Sequence, residues 1–354
     1  MFRQDPLNTI LALGSGFTPT AVRVTATLRL PDLVDQGHRT VAALAAETGS
    51  DEQSLGRVLH YVSLLGLFEE TTPADDGADA DEQAEKQYEL TDVGRVLLSE
   101  HPSNLRRWLD YDDPSRAMEA RFEPAMGRLR DAVRTGLPVY EQAHGRPFWE
   151  DLEAHPDIEK SFNTGIARIA NRLVPELARI HDWASAGHVV DVGGGNGSLL
   201  LKLLTEHPGL RGTLLELDSV IREAKDTVAP VADRCELVAG SFFDPMPAGA
   251  DTYLIANTLH NWSDRDAARI LGRCAEAVVP GGKVLVVERL LDSGKDPVMA
   301  SYADLLMLVL LGGRERSMAD LRGLGAGVGL TLTGSKRFEL PGHWLVEFTR
   351  EEAR

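Results

Sequence analysis

The sequence predicts an α/β protein in two parts, a doubly wound parallel sheet toward the C-terminus and, before it, a mostly helical module of winged-helix type. Three observations carry this expectation. From Gly187 onward, short runs rich in Val, Leu and Ile alternate with helical periodicity, as in strands buried on both faces between crossover helices. Before that point apolar residues recur mainly at helical spacing. With 354 residues the chain also exceeds what one hydrophobic core usually holds.

Taken in order, residues from Leu7 to Leu13 read as an apolar helix suited to burying surface against another subunit. The helical pattern continues from Thr18, with Leu28-Arg29-Leu30-Pro31 ending one helix and Thr40-Val41-Ala42-Ala43-Leu44-Ala45 opening the next. After the Gly49-Ser50 turn, Leu55, Val58, Leu59, Val62 and Leu65 form one apolar stripe. Two strands are expected at 66–70 and 88–91, with the acidic stretch from Thr71 to Gln87 as a mobile hairpin tip. These elements assign a winged-helix arrangement to residues 1–104. Residues 105–186 read as a helical connector carrying Phe122, Met126, Tyr140, Phe148, Trp149 and Phe162, most packing among themselves and a minority lining a pocket. In 187–354, strands are expected near 188–192, 213–216, 236–239, 252–256 and 283–288, with two more near Thr331 and Leu345. Such sheets bind ligands beyond the carboxyl ends of their strands, where strand order reverses.

Composition narrows the function. A formal charge of −17, from 54 acidic against 37 basic residues, disfavours a non-specific grip on nucleic acid or an anionic membrane. The second helix of the winged module offers Arg57 and His60 but no basic cluster, so no nucleic-acid partner is expected. The apolar run at 305–311 is far shorter than the ~20 residues that span a bilayer, and the N-terminus lacks a secretory pattern, so the expected location is cytoplasmic, with no membrane partner. Cys235 and Cys274 are expected to be reduced, buried thiols. The histidines are scattered and no His, Cys or carboxylate group has metal-ligand spacing, so no metal is expected.

One turn carries the ligand signal. Val189-Val190 runs into Asp191-Val192-Gly193-Gly194-Gly195-Asn196-Gly197 and then into an apolar helix. Glycines there permit a tight turn and close backbone approach. A dinucleotide fingerprint would place its third glycine at 198, which is Ser198, so the spacing suits a cofactor with an amino-acid tail and no pyrophosphate. Asp191, Gly193 and Gly195 are its candidate contacts. Glu216, at the end of the second sheet strand, is placed for two ribose hydroxyls, with Asp218 as the nearby alternative. After the third, Phe242 is placed to cover an adenine and Ser241 to meet its edge. His260 follows the fourth strand, and Glu288 ends the adjacent one within reach of it. Alone, a histidine such as His260 more often reads as a capping or core residue.

Together these residues resemble the S-adenosylmethionine-dependent O-methyltransferases of the plant caffeate and flavonoid type, including the actinomycete enzymes that decorate antibiotics. The likeness spans nearly the whole chain and is most specific at 190–197, at Leu259-His260-Asn261-Trp262-Ser263-Asp264 and at Gly312-Gly313-Arg314-Glu315-Arg316-Ser317. It implies a Rossmann-like catalytic domain, a winged-helix dimerisation domain making a homodimer, and S-adenosylmethionine as methyl donor, released as S-adenosylhomocysteine. It further implies that Gly193, Glu216, Ser241 and Phe242 contact the cofactor, that His260 is the general base, and that Glu288 and Glu315 orient and flank it. Asn257, Asn261, Met307, Leu311, Phe162 and Trp149 are the candidate contacts to a small hydroxylated aromatic substrate. Three positions depart from the plant pattern: Ser241 replaces an aspartate, Ala256 a lysine, and Asn261 a common aspartate. Two other readings stay open, a related scaffold turned to hydroxylation or decarboxylation, and a non-enzymatic winged-helix regulator.

Overall fold

The computed structural model describes residues 5–71, 86–294 and 297–350. The chain forms two compact units, Met1–Arg116 and Ala117–Arg354. The stretch read as a connector is thus shared. Helix Leu105–Leu109 belongs to the first unit, where Leu105 and Leu109 pack on its core, and the helices from Ala117 onward belong to the second.

In the first unit, helices Val41–Thr48 and Glu52–Leu64 begin at side-chain caps. Thr40 accepts from the Ala43 amide at 3.2 Å and Asp51 from that of Ser54 at 2.9 Å, each satisfying a donor the helix cannot. Strands β1 (Phe68–Thr71) and β2 (Gln87–Leu90) pair antiparallel, and Leu44, Leu55, Leu59, Val62, Phe68 and Tyr88 share one buried core. The acidic stretch between the strands lies at 72–85, outside the described residues. One boundary differs from expectation. Pro31 does not close a helix but lies in the first turn of a separate short one, Leu30–Asp35, where its missing N–H costs nothing. The break comes two residues earlier, at Arg29, whose φ of 54° turns the chain.

The second unit is built on a seven-stranded sheet of order β5-β4-β3-β6-β7-β9-β8. Its strands are β3 (His188–Val192), β4 (Arg211–Glu216), β5 (Cys235–Ala239), β6 (Thr252–Ala256), β7 (Lys283–Arg289), β8 (Leu330–Arg337) and β9 (His343–Arg350). All five strands from β3 to β7 run parallel, and β8 and β9 close the far edge as an antiparallel pair. Alternate residues of each strand face opposite ways and feed two cores, with Val189, Leu214, Leu254 and Leu285 on one side and Val190, Leu215, Tyr253 and Val284 on the other. Because β3 pairs with both β4 and β6, strand order reverses beside it, and the carboxyl ends of the parallel strands β3, β4, β6 and β7 share one edge of the sheet, where folds of this kind form their ligand crevice. Cys274 is buried as expected, whereas Cys235 opens β5, the edge strand, and is only half-buried. Among the described residues, no helix is long and apolar enough to cross a membrane.

Candidate active site

The turn after β3 lies at the crevice. Gly193, Gly195 and Gly197 have φ of 67°, 58° and 76°, the left-handed region that strains any residue with a Cβ. A Cβ on Gly195 would meet nothing within 4 Å, so here the backbone faces open space. Gly194 is needed for a different reason: a Cβ there would fall 2.3 Å from Asp191 Oδ2 and 2.7 Å from Leu214 Cδ1.

The same packing places Asp191. Asp191 was expected among the ligand contacts, yet it has no exposed surface and neither carboxylate oxygen has a hydrogen-bond partner. Strand alternation turns it inward beneath the turn, against Gly194. Burial first, and the charge of Glu216 second, push its pKa up to about 7. Asp191 therefore supports the turn from below.

Glu216 ends β4 half-buried beside the turn. Its carboxylate accepts from the Leu217 amide at 2.6 Å and from that of Gly195 at 3.3 Å. Burial raises its pKa, and those two amides oppose the rise. Phe242 lies across from Gly193, with Cε1 3.2 Å from where a Cβ on that glycine would sit. Its ring joins those of Phe243 and Trp262, with centroids 5.1 and 5.7 Å away, and Ser241 Oγ accepts from the Phe243 amide at 3.2 Å. Trp262 is the member of this aromatic wall that position along the strands did not point to; its signal was an aromatic in the segment after β6.

Beyond β6 the chain is strained and then tightly held. Asn257 adopts φ 49°, which asparagine tolerates better than most residues, and its amide donates to Val287 O at 2.8 Å. A short 3₁₀ turn, Leu259–Asn261, follows and carries His260. Glu288 of β7 grips that turn: Oε1 accepts from the amides of Thr258, Leu259 and His260 at 3.0, 2.7 and 3.4 Å. Its other oxygen, Oε2, lies 3.2 Å from His260 Nδ1, and Glu315 Oε1 approaches the same nitrogen to 3.5 Å. Both are charge contacts off the line of a hydrogen bond. Burial works against a charged ring, but Glu288, with Glu315 behind it, outweighs burial and raises the imidazole to about 10. Spacing along the chain did not reveal this grouping, whose ligand-type atoms all lie within 4.8 Å of one another. The segment after β6, the end of β7 and a distant loop assemble it, and a cationic ring offsets part of the charge of its two carboxylates.

Substrate-side candidates fall into two groups. Trp149 and Phe162 stack edge-on with centroids 5.8 Å apart, and Phe148 meets both. Trp149 stays 37% exposed, which leaves ring surface for a ligand. Leu311 packs with Phe162 on the same helical core. Met307, one turn earlier on helix Pro297–Leu310, is half-buried, as are Asn257 and Asn261, which flank His260 along the chain.

Comparison with known proteins decides what this crevice belongs to. The O-methyltransferase domain family matches residues 126–331, and the O-methyltransferase dimerisation domain matches residues 12–100. A 2,7-dihydroxy-5-methyl-1-naphthoate 7-O-methyltransferase of Streptomyces carzinostaticus is 40% identical over 91% of this chain and 92% of its own. The chain belongs to the S-adenosylmethionine-dependent O-methyltransferases. Among solved structures, this methyltransferase is similar to that of an O-methyltransferase from neocarzinostatin biosynthesis, in complex with S-adenosylmethionine and 2-hydroxy-5-methyl naphthoic acid. The TM-score is 0.74 at 38% identity, covering 96% of this chain and 98% of that one. Another relative, aclacinomycin 10-hydroxylase of Streptomyces purpurascens, is 36% identical over 92% of this chain and 84% of its own.

The methyltransferase crevice fits its cofactor on its own features. Gly195 offers unobstructed backbone, Glu216 a half-buried carboxylate at a strand end, and Phe242 a ring across the turn. A tail bearing an amine and a carboxylate, a ribose diol and a flat base match these three in kind.

Proposed function

We propose that this methyltransferase acts on a hydroxyl of a flat aromatic natural product, with His260 as the general base. One observation carries the reading: an imidazole at the crevice whose Nδ1 faces the carboxylates of Glu288 and Glu315, at 3.2 and 3.5 Å, so that Nε2 is the nitrogen left for an acceptor hydroxyl. S-adenosylmethionine, when bound, supplies a methyl group on a sulfonium and hence already activated for displacement. The protein's share is to hold the acceptor oxygen in line and to remove its proton. A phenol of pKa about 10 is mostly protonated at neutral pH. With the imidazole raised to about 10, transfer from the phenol to the neutral ring is nearly thermoneutral because the two carboxylates stabilise the resulting cation, and the ring must first shed its own proton to act. Phe162 and Leu311 on one helical core, with Trp149 against Phe162 and Met307 a turn before Leu311, offer apolar surface, and Asn257 and Asn261 flank His260 along the chain, which suits a hydroxylated ring of the class named for the naphthoate relative. The matched dimerisation domain supports a homodimer.

In His260→Ala, turnover is expected to fall roughly 10²–10⁴-fold while S-adenosylhomocysteine binds as in the wild type. Unchanged turnover would refute the base assignment. Incubation with labelled cofactor and a panel of hydroxynaphthoates, phenols and quinones, read by mass spectrometry, separates methylation from the chemistry of the hydroxylase relative. Methylation adds one CH₂ unit, and hydroxylation one oxygen atom.

A further inference from the structure

Glu315 has a neighbour the mechanism above does not use. The Arg316 side chain is almost wholly buried, and its guanidinium donates to three points of one loop: Nη1 to Leu259 O at 2.8 Å, Nη2 to Trp262 O at 2.8 Å, and Nε to Asp264 Oδ1 at 2.9 Å. These acceptors bracket His260 on both sides. Backbone contacts reinforce the grip, since the Arg314 amide donates to His260 O at 2.9 Å and a Cβ on Gly313 would fall 2.1 Å from that same oxygen. Adjacent residues thus divide the work, Glu315 reaching the ring and Arg316 reaching the backbone that carries it.

We infer that Arg316 is a positioning residue, which clamps the 259–264 loop so that the His260 imidazole stands at its working distance from Glu288, Glu315 and the acceptor. A planar fork with donors on three sides is needed for this, and a lysine ammonium cannot reproduce its geometry. The inference rests on His260 being the base, and the test keeps the two apart.

Arg316→Lys is expected to lower kcat roughly 10- to 100-fold, as small displacements of a catalytic group do. S-adenosylhomocysteine affinity by calorimetry should stay within about twofold, and the His260 imidazole resonance should titrate at a shifted pH. Introduced into His260→Ala, the same substitution should cost no more than about twofold further, because two changes acting through one group are not additive. Asp264→Asn, which weakens one grip at a half-exposed site, should show a smaller loss with the same disappearance in His260→Ala, and it carries the test if the lysine variant does not fold. An equal loss in both backgrounds would reduce Arg316 to general scaffolding, and an unchanged kcat or unshifted resonance would overturn the clamp outright. If His260→Ala alone leaves turnover intact, the base reading fails first and takes this inference with it.

Discussion

A base must be free of its proton to act, and His260, in the role proposed for it, sits between two carboxylates that favour keeping it. The groups facing His260 are Glu288 and Glu315. Arg316 faces Glu288 and moderates its charge, while nearby His343 is depressed to about 4 and so stays neutral. The balance raises His260, so at pH 7 the free site is largely cationic and its neutral fraction grows with pH toward the raised value. Activity, as kcat/KM, should therefore climb along a limb lying well above the ordinary imidazole pKa of about 6.5. Glu288→Gln removes the larger charge supporting the cation, and the limb should move to lower pH by about one unit or more. Because the acceptor's own ionisation is the same in both proteins, a limb that stays put would assign it to the phenol and not to His260. Sequence made His260 and Glu288 legible, since one follows and the other ends a recognisable strand. Glu315 and Arg316 lie after a helix, where no periodicity marks function, and only the resemblance singled out Glu315. For Asp191 the motif gives the place in the chain but not which face of β3 it occupies.

Helices and strands were easier to read than the turns joining them. The buried parallel strands announce themselves as apolar runs because both faces are covered, and β3 and β6 begin and end where those runs do. Boundaries set by one dihedral were not legible, as at Arg29, where a positive φ does what proline was expected to do. The turn after β3 combines both cases, since its glycines were visible but their separate reasons were not. Gly194 is the informative one, because its φ is ordinary and only crowding by Asp191 and Leu214 excludes a side chain. Gly194→Ala should push the turn away from Asp191 and weaken S-adenosylhomocysteine binding at least about tenfold, with an overpacking cost of about 1–3 kcal/mol in stability. Calorimetry and a thermal melt read these together. Wild-type affinity in the alanine variant would mean that the support from below is dispensable.

On the scale of the whole molecule, charge and apolar surface make opposite demands on assembly. Two copies each bearing −17 repel one another, so a homodimer needs apolar burial large enough to overcome that repulsion. Helix Pro6–Gly14 and the residue that opens the next helix offer such surface, with Leu7, Ile10, Leu11, Leu13 and Phe17 each between 58% and 81% exposed. Contiguous apolar patches of this kind are uncommon on a monomer. If this helix is part of the dimer contact, replacing Ile10 and Leu11 with aspartate should weaken association at least about tenfold, each change removing apolar burial of about 1.5–3 kcal/mol. Raising the salt concentration should leave wild-type association unchanged or strengthen it, because screening acts on the repulsion and not on the apolar contact. Sedimentation at low and high salt measures both effects. A wild-type protein that is monomeric at micromolar concentration, or one whose dimer dissociates as salt rises, would mean that association is absent or held by ion pairs, and the apolar helix would then need another partner.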